Sequence, residues 1–374
     1  MPILNSIASW FMKKRMHQIE LFMKYPTDVQ DEWMRKLLKS GRETEFGRNN
    51  KFSSIENYEQ FKKQVPLQDY ETLKPSIERI RGGEQNILWP GEIKWFAKSS
   101  GTTDKSKFLP VTKESLDGCH YNGGRDMVTL HCVNNPETQL FTGKSLALGG
   151  SSQSYLSGSH ESLHGDVSAI VMQNLPMWAE YFRAPDLEIA LMDKWEEKLK
   201  KMVYATMNEN VTSLAGVPSW MLVLLRQILD SKKTPSMKEV WPNLEVYFHG
   251  GVSFTPYREQ FKKIFDSQSI KYMQVYNASE GFFGIQDLAN ANDMLLMLDY
   301  GVFYEFIPVD ELQNESPRVY HIGEVNTKTV YSLVISTNAG LWRYQLGDTI
   351  QFTSTDPYRF VITGRTKHCL NVFG

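Results

Sequence analysis

Short apolar runs, several of them ending in glycine, alternate with helix-periodic segments along this sequence, and that alternation constrains the fold more than any other feature. Residues 5–81 read as helical segments broken at Tyr25-Pro26, Ser40-Gly41 and Val65-Pro66. Residues 93–97 predict a strand, 113–131 a helix, and 144–148 a strand that ends in Gly149-Gly150. Helical spacing returns at 193–207, 220–229 and 256–265, with extended runs at 211–215 and 244–248 between. The second half is strand-rich, with runs at 270–276, 294–298, 302–307, 330–335, 349–352 and 360–362. Such an order predicts an α/β fold: helix-flanked β-sheets with a smaller β-rich subdomain packed on them.

A chain of 374 residues can bury a large core, and its 41 basic and 43 acidic residues nearly cancel. With no basic stripe or acidic tail, neither nucleic acid nor an anionic membrane surface is expected as a partner, and a small ligand is. Cys119, Cys132 and Cys369 contain no C-x-x-C pair, which argues for a reducing, cytoplasmic setting over a disulfide framework or structural zinc. Ile3, Ile7, Trp10, Phe11, Ile19, Phe22 and Met23 recur at helical spacing, but Lys13, Lys14 and Arg15 interrupt them. The N-terminus therefore reads as an amphipathic packing helix rather than a signal peptide.

Four segments carry readable chemistry. In Ser99-Ser100-Gly101-Thr102-Thr103-Asp104-Lys105-Ser106-Lys107, hydroxyls and a permissive glycine precede a lysine, a composition suited to gripping phosphate. His249-Gly250-Gly251 puts two side-chain-free residues after a strand, where a flat ring or a phosphate can lie against backbone. Tyr276-Asn277-Ala278-Ser279-Glu280 sets an aromatic ring and a carboxylate at one strand end, suited to stacking a base and holding Mg²⁺. Tyr344-Gln345-Leu346-Gly347-Asp348 ends in a Gly-Asp turn whose carboxylate can accept from two ribose hydroxyls.

In order and spacing these segments resemble the nucleotide-binding motifs of the acyl-adenylate-forming superfamily, and most closely the auxin-responsive acyl-acid amido synthetase family. Ser100-Gly101-Thr102-Thr103 and Lys107 fall in register with its T-S-G-T-T-G-x-P-K loop, although Asp104 and Ser106 replace the usual glycine and proline. Tyr276, Ser279 and Glu280 match Tyr-x-x-Ser/Thr-Glu, Tyr344, Gly347 and Asp348 match Tyr-x-x-Gly-Asp, and 364–374 resembles the hinge motif. The resemblance implies a large adenylation domain over residues 1–363 and, at 364–374, the start of a hinge to an absent C-terminal lid domain, so a truncated form is expected. It implies a ligase that uses ATP and Mg²⁺ to activate a small carboxylic acid as acyl-AMP and passes the acyl group to an amine, an amino acid above all. Alternatives are an acyl-CoA ligase sharing the first step, or a non-catalytic nucleotide- or acyl-binding module.

The implied site has Lys107 and Glu280 as catalytic groups, Glu280 also holding the metal. Ser99, Ser100, Gly101, Thr102 and Thr103 would take the pyrophosphate, Gly250, Gly251 and Tyr276 would frame adenine, Asp348 would grip the ribose and Arg365 the sugar or phosphate. Ala278, Ser279 and Tyr344 are implied as further nucleotide-binding residues. Two competing motifs fail on context. His160-Glu161-Ser162-Leu163-His164 fits H-E-x-x-H, yet a Ser/Gly-rich loop precedes it and Gly165 follows, so the helix that zinc binding needs is not expected. Gly143-Lys144-Ser145 mimics a P-loop end, but Thr138 stands where its first glycine belongs. Trp178, Tyr181, Phe182, Trp195 and Trp220 are expected in the core, with Val217 to Trp220 as a candidate acyl wall.

Overall fold

Proline and capping side chains divide the N-terminal region as its sequence predicts. The computed structural model describes residues 2–99, 106–157, 160–265 and 270–366, with side chains from residue 12 onward save those of 157 and 178. One helix runs Pro2–Lys24 and the next Pro26–Gly41, with Pro26 at a first position that needs no amide hydrogen. Later helices begin where a side chain satisfies a free amide. Thr44 accepts from Gly47, Asn57 accepts from Gln60, and Asp69 and Thr72 exchange bonds at the start of Tyr70–Arg81.

Among the described residues the strands form two sheets, one of twelve strands and one of four. In the large sheet Lys271–Ala278, Val246–His249, Val211–Gly216, Lys144–Ala147 and Arg183–Ala184 lie side by side and parallel. Helices Trp195–Thr206, Pro218–Lys232 and Arg258–Phe265 alternate with these strands, and Leu146, Leu214, Trp241, Tyr247 and Phe261 fill the core beneath them. From Lys271–Ala278 the sheet continues antiparallel through Gly281–Ile285, Met294–Leu296, Tyr358–Arg365, Tyr344–Thr355, Val330–Thr337, Val302–Pro308 and Tyr320–His321. This half is the predicted β-rich subdomain, and it shares a core with the N-terminal helices through Leu37, Phe61, Phe283, Tyr304, Trp342 and Phe360. The small sheet orders Lys107–Val111, Trp95–Ser99, His160–Gly165 and Ser152–Ser157.

The helical segment expected over 113–131 begins at Lys113 under a Thr112 cap, directly after the edge strand Lys107–Val111. Three expectations are corrected. The segment expected as a Ser/Gly loop contains the strand Ser152–Ser157, and His160–Gly165 pairs with it, so the H-E-x-x-H residues are extended. Gly347-Asp348 is no turn but lies within the strand Tyr344–Thr355. The Gly347 backbone, at φ +88, takes up a register shift against Val330–Thr337. Of the aromatics expected in the core, Tyr181 is 74% and Trp220 49% exposed, whereas the Trp178 side chain lies outside the described residues.

Two buried arginines join the layers. Arg15, from the segment that interrupts the apolar stripe of the first helix, donates to Asp126 at 2.7 Å and to both oxygens of Asp299 at 2.5 and 2.9 Å. Tyr300 adds a bond to Asp126 at 2.7 Å. Arg343 donates to both Glu305 oxygens at 2.9 Å and to the carbonyls of Lys62 and Val65 at 2.9 and 2.8 Å. Removing one partner of such a pair leaves an uncompensated charge. Arg15→Met is therefore expected to cost about 3–5 kcal/mol of unfolding free energy, because Asp126 has no exposure of its own. Denaturant unfolding tests this, and a loss below about 1 kcal/mol contradicts it.

Candidate active site

Parallel strands leave their C-terminal ends on one edge of a sheet, and loops there converge on ligands. Here Ala147, Gly216, His249 and Ala278 end neighbouring strands, and the segments after Gly216, His249 and Ala278 border one cavity of about 1290 Å³. Gly250 and Gly251 line it after the Val246–His249 strand. A Cβ on Gly250 would stand 2.5 Å from the Val275 carbonyl oxygen, and Gly251 has φ +79, so neither position tolerates a side chain without rearrangement. Ala278, Ser279 and Glu280 line it at the turn between Lys271–Ala278 and Gly281–Ile285.

Asp348 enters from the antiparallel half and is nearly buried. It accepts a 2.5 Å hydrogen bond from the Tyr276 hydroxyl on one oxygen and lies 3.0 Å from Arg365 Nε on the other. Arg365 is its cross-strand partner by register and is half-exposed. Tyr276 packs its ring against Phe283 and Phe360, so its hydroxyl is held by core packing. One carboxylate is thus fixed by two donors from two different strands.

Ser99 and Lys107 are register partners in the antiparallel pair that brackets the phosphate-loop sequence, and both line the cavity. Ser100, Gly101, Thr102, Thr103 and Asp104 lie outside the described residues, as do 367–374 with Cys369. Glu280 is partly buried, and desolvation pushes its carboxyl up to about 7. A backbone hydrogen bond opposes that shift, Asp348 adds to it, and Lys107 and Arg365 act against it. A single oxygen donor beside a lysine suits Mg²⁺ shared with phosphate oxygens. Among the described residues no three His, Cys, Asp or Glu side chains gather into a protein-only cage.

Of the residues expected to bind the nucleotide, Tyr344 does not reach the cavity. It is fully buried, Gln68 bridges the backbone on either side of it, and burial holds its phenol above the ordinary range. The sheet explains this: Tyr344 pairs with Ile335 inside it, whereas Leu346 and Asp348, at the register shift around Gly347, reach the cavity. Of the acyl wall only Val217 lines the cavity, and Trp220 packs edge-on against Trp195 at 4.4 Å. Residues not singled out in the sequence also line it, notably Lys98, Asp166 and Arg258, as does His249 at the head of its glycine pair. Burial, aided by Arg258, pushes His249 down to about 3, and its ring stacks on Phe254 at 4.1 Å, so it is a neutral wall. Among the described residues no helix is long and apolar enough to cross a membrane.

Residues 15–270 match the GH3 family N-terminal domain and residues 295–365 the GH3 family central domain. The chain is 24% identical over 427 residues to indole-3-acetic acid-amido synthetase GH3.4 of Arabidopsis thaliana, covering 93% of this chain and 69% of that one. It is 24% identical over 409 residues to jasmonoyl-L-amino acid synthetase JAR4 of Nicotiana attenuata, covering 89% of this chain and 68% of that one. Among solved structures it resembles AtGH3.15 acyl acid amido synthetase in complex with 2,4-DB, with a TM-score of 0.80 at 17% identity over 95% of this chain and 70% of the other. That last likeness is one of fold.

The Glu280 carboxyl yields a prediction that does not depend on ligand. Because its proton is held more tightly in the folded chain than in the unfolded one, stability is lost as pH rises from about 4.5 towards 7. Glu280→Gln removes that loss. The variant should be more stable than wild type by about 1–3 kcal/mol at pH 8 and unchanged near pH 4. Unfolding midpoints at the two pH values measure this, and an equal effect at both contradicts it.

Proposed function

The chain belongs to the GH3 family, and from that premise we propose that it is an ATP-dependent ligase that activates a small carboxylic acid as an acyl-adenylate and transfers the acyl group to an amino acid. A single observation carries the reading: Ser99 with Lys107, Gly250 with Gly251, Tyr276 with Glu280, and Asp348 with Arg365 come from distant parts of the chain and border one cavity. The names of the relatives, indole-3-acetic acid-amido synthetase and jasmonoyl-L-amino acid synthetase, support the same reaction class.

A carboxylate is a poor electrophile because oxide is a poor leaving group, so activation must come first. A carboxylate oxygen of the acid bonds to the α-phosphorus of ATP, the bridge to the β-phosphate breaks, and pyrophosphate leaves. The amino nitrogen of the acceptor then bonds to the acyl carbon, the bond to AMP breaks, and the amine proton passes to water. The products are amide and AMP. Little covalent work falls to the protein, which contributes position and charge.

Ser99 and Lys107, with Ser100, Gly101, Thr102 and Thr103, would hold the departing pyrophosphate. Gly250, Gly251, Ala278 and Ser279 would border adenine, with Tyr276 closing that side and orienting Asp348 through its hydroxyl. Asp348 would accept from the ribose hydroxyls, and Arg365 would reach sugar or phosphate. Glu280 would hold Mg²⁺, which when bound supplies neutralising charge at the phosphates. Tyr344 has no place in this list, since it is walled off from the cavity.

Acid-dependent exchange of labelled pyrophosphate into ATP tests the first step, with aryl and alkyl acids as probes. Asp348→Ala is expected to raise the KM for ATP about tenfold or more and to keep a folded spectrum. Wild-type protein showing no exchange with any of these acids, or Asp348→Ala indistinguishable from wild type, defeats the assignment.

A further inference from the structure

Building on that reading, we infer that Asp166 and Lys98 form the subsite for the acceptor, the carboxylate taking its ammonium group and the lysine its carboxylate. Trp95–Ser99 and His160–Gly165 run parallel, with Ala97 opposite Gly165. Lys98 and Asp166 are the next residue on each chain, so the backbones that carry these opposite charges lie about one strand spacing apart. Both side chains are exposed and line the cavity, yet among the described residues neither forms an ion pair. Adjacent, opposed and unpaired charges facing a cavity complement a zwitterion.

The surroundings hold Asp166 in place. Its Oδ2 accepts from the Ser151 amide at 3.1 Å. A Cβ on Gly150 would stand 1.7 Å from that same oxygen, so the Gly149-Gly150 strand exit is shaped around the carboxylate. Lys198, 2% exposed, donates to the carbonyls of Gly149 and Gly150 at 2.6 and 3.1 Å and so pins the turn from behind. Its charge is engaged by those carbonyls and does not pair with Asp166.

Strand order assigns the occupant. The adenine-side motifs follow Val246–His249 and Lys271–Ala278, whereas the Gly149-Gly150 turn follows Lys144–Ala147, roughly 14 Å along the edge from Lys271–Ala278. Val217, after the strand between, gives the intervening wall an apolar side chain suited to the acyl group. The order of strand exits is then acceptor, acyl group, adenine, so an acceptor held at Asp166 adjoins the acyl group rather than the base.

The test separates the half-reactions of the full-length protein. Asp166→Asn is expected to raise the KM for the best acceptor among the standard amino acids about tenfold or more, while exchange measured without acceptor changes less than about threefold. Asp166→Glu should recover part of the loss. Lys98→Met should cut, by about tenfold, the preference of wild type for an amino acid over its carboxamide. An unchanged acceptor KM in Asp166→Asn, or exchange falling in parallel with amide formation in both Asp166 variants, overturns the subsite. So does a wild type that exchanges pyrophosphate but conjugates none of the amino acids. Wild-type protein without exchange instead defeats the adenylation reading beneath it.

Discussion

The buried pair of Arg343 and Glu305 is the constraint on which the arrangement of this molecule rests. Both side chains are nearly inaccessible, so each would be strongly destabilising without the other. Arg343 satisfies Glu305 with two bonds and uses a third nitrogen on the carbonyls of Lys62 and Val65, while the Tyr58 hydroxyl adds a bond to Glu305 at 3.1 Å. The N-terminal helical layer is thereby tied to the middle of the antiparallel half. The backbone at Arg343 adopts φ +45, a conformation that a non-glycine residue keeps only when its surroundings dictate it. Tyr344–Thr355 begins at the next residue, so the pair sets the position and direction of the strand that carries Asp348.

From that anchor the site is preorganised in sequence. Core packing holds the Tyr276 ring, the ring holds the hydroxyl, and the hydroxyl holds one oxygen of Asp348. The exposed Arg365 meets the other oxygen through solvent-accessible geometry, and an ion pair of that kind is worth little by itself. Orientation of Asp348 therefore depends mainly on the buried tyrosine. Arg365 can exchange its partner for a ligand at small cost, a useful property for a group near the mouth of a site whose charge changes during a reaction.

Legibility in the sequence followed the range of the interactions involved. Four of the five parallel strands were readable because each is a short run with apolar residues closed by a turn, as in Val246–His249 before Gly250-Gly251, whereas the two-residue Arg183–Ala184 left no such signal. Ser152–Ser157 was not, since its residues are mostly polar and its extended state depends on pairing with His160–Gly165. The motif residues Gly250, Glu280 and Asp348 were legible as local patterns that proved to border one cavity. Tyr344 was misplaced because spacing along the chain shows neither the register shift around Gly347 nor which residues the sheet covers. Lys98 and Asp166 carry no local pattern at all. Their relation exists only through the register of two strands joined by a long stretch of chain, and only coordinates supply it.

Lys198 explains why that last pair stays open. A buried ammonium is costly, and burial pushes this one below the ordinary lysine range, with Asp166 acting the other way. The most economical arrangement for stability alone would close Lys198 onto Asp166 as an ion pair. Instead the amine is spent on two carbonyls of the Gly149-Gly150 turn, and Asp166 takes a backbone amide as its partner. An amide donor fixes the direction of a carboxylate and leaves its charge intact, which an ion pair would not. The turn thus keeps an acid oriented and un-neutralised at the rim of a cavity, beside a lysine one strand away that is equally unpaired among the described residues. Two charges held apart in this way do little for folding, and their energetic return comes only when a ligand bridges them.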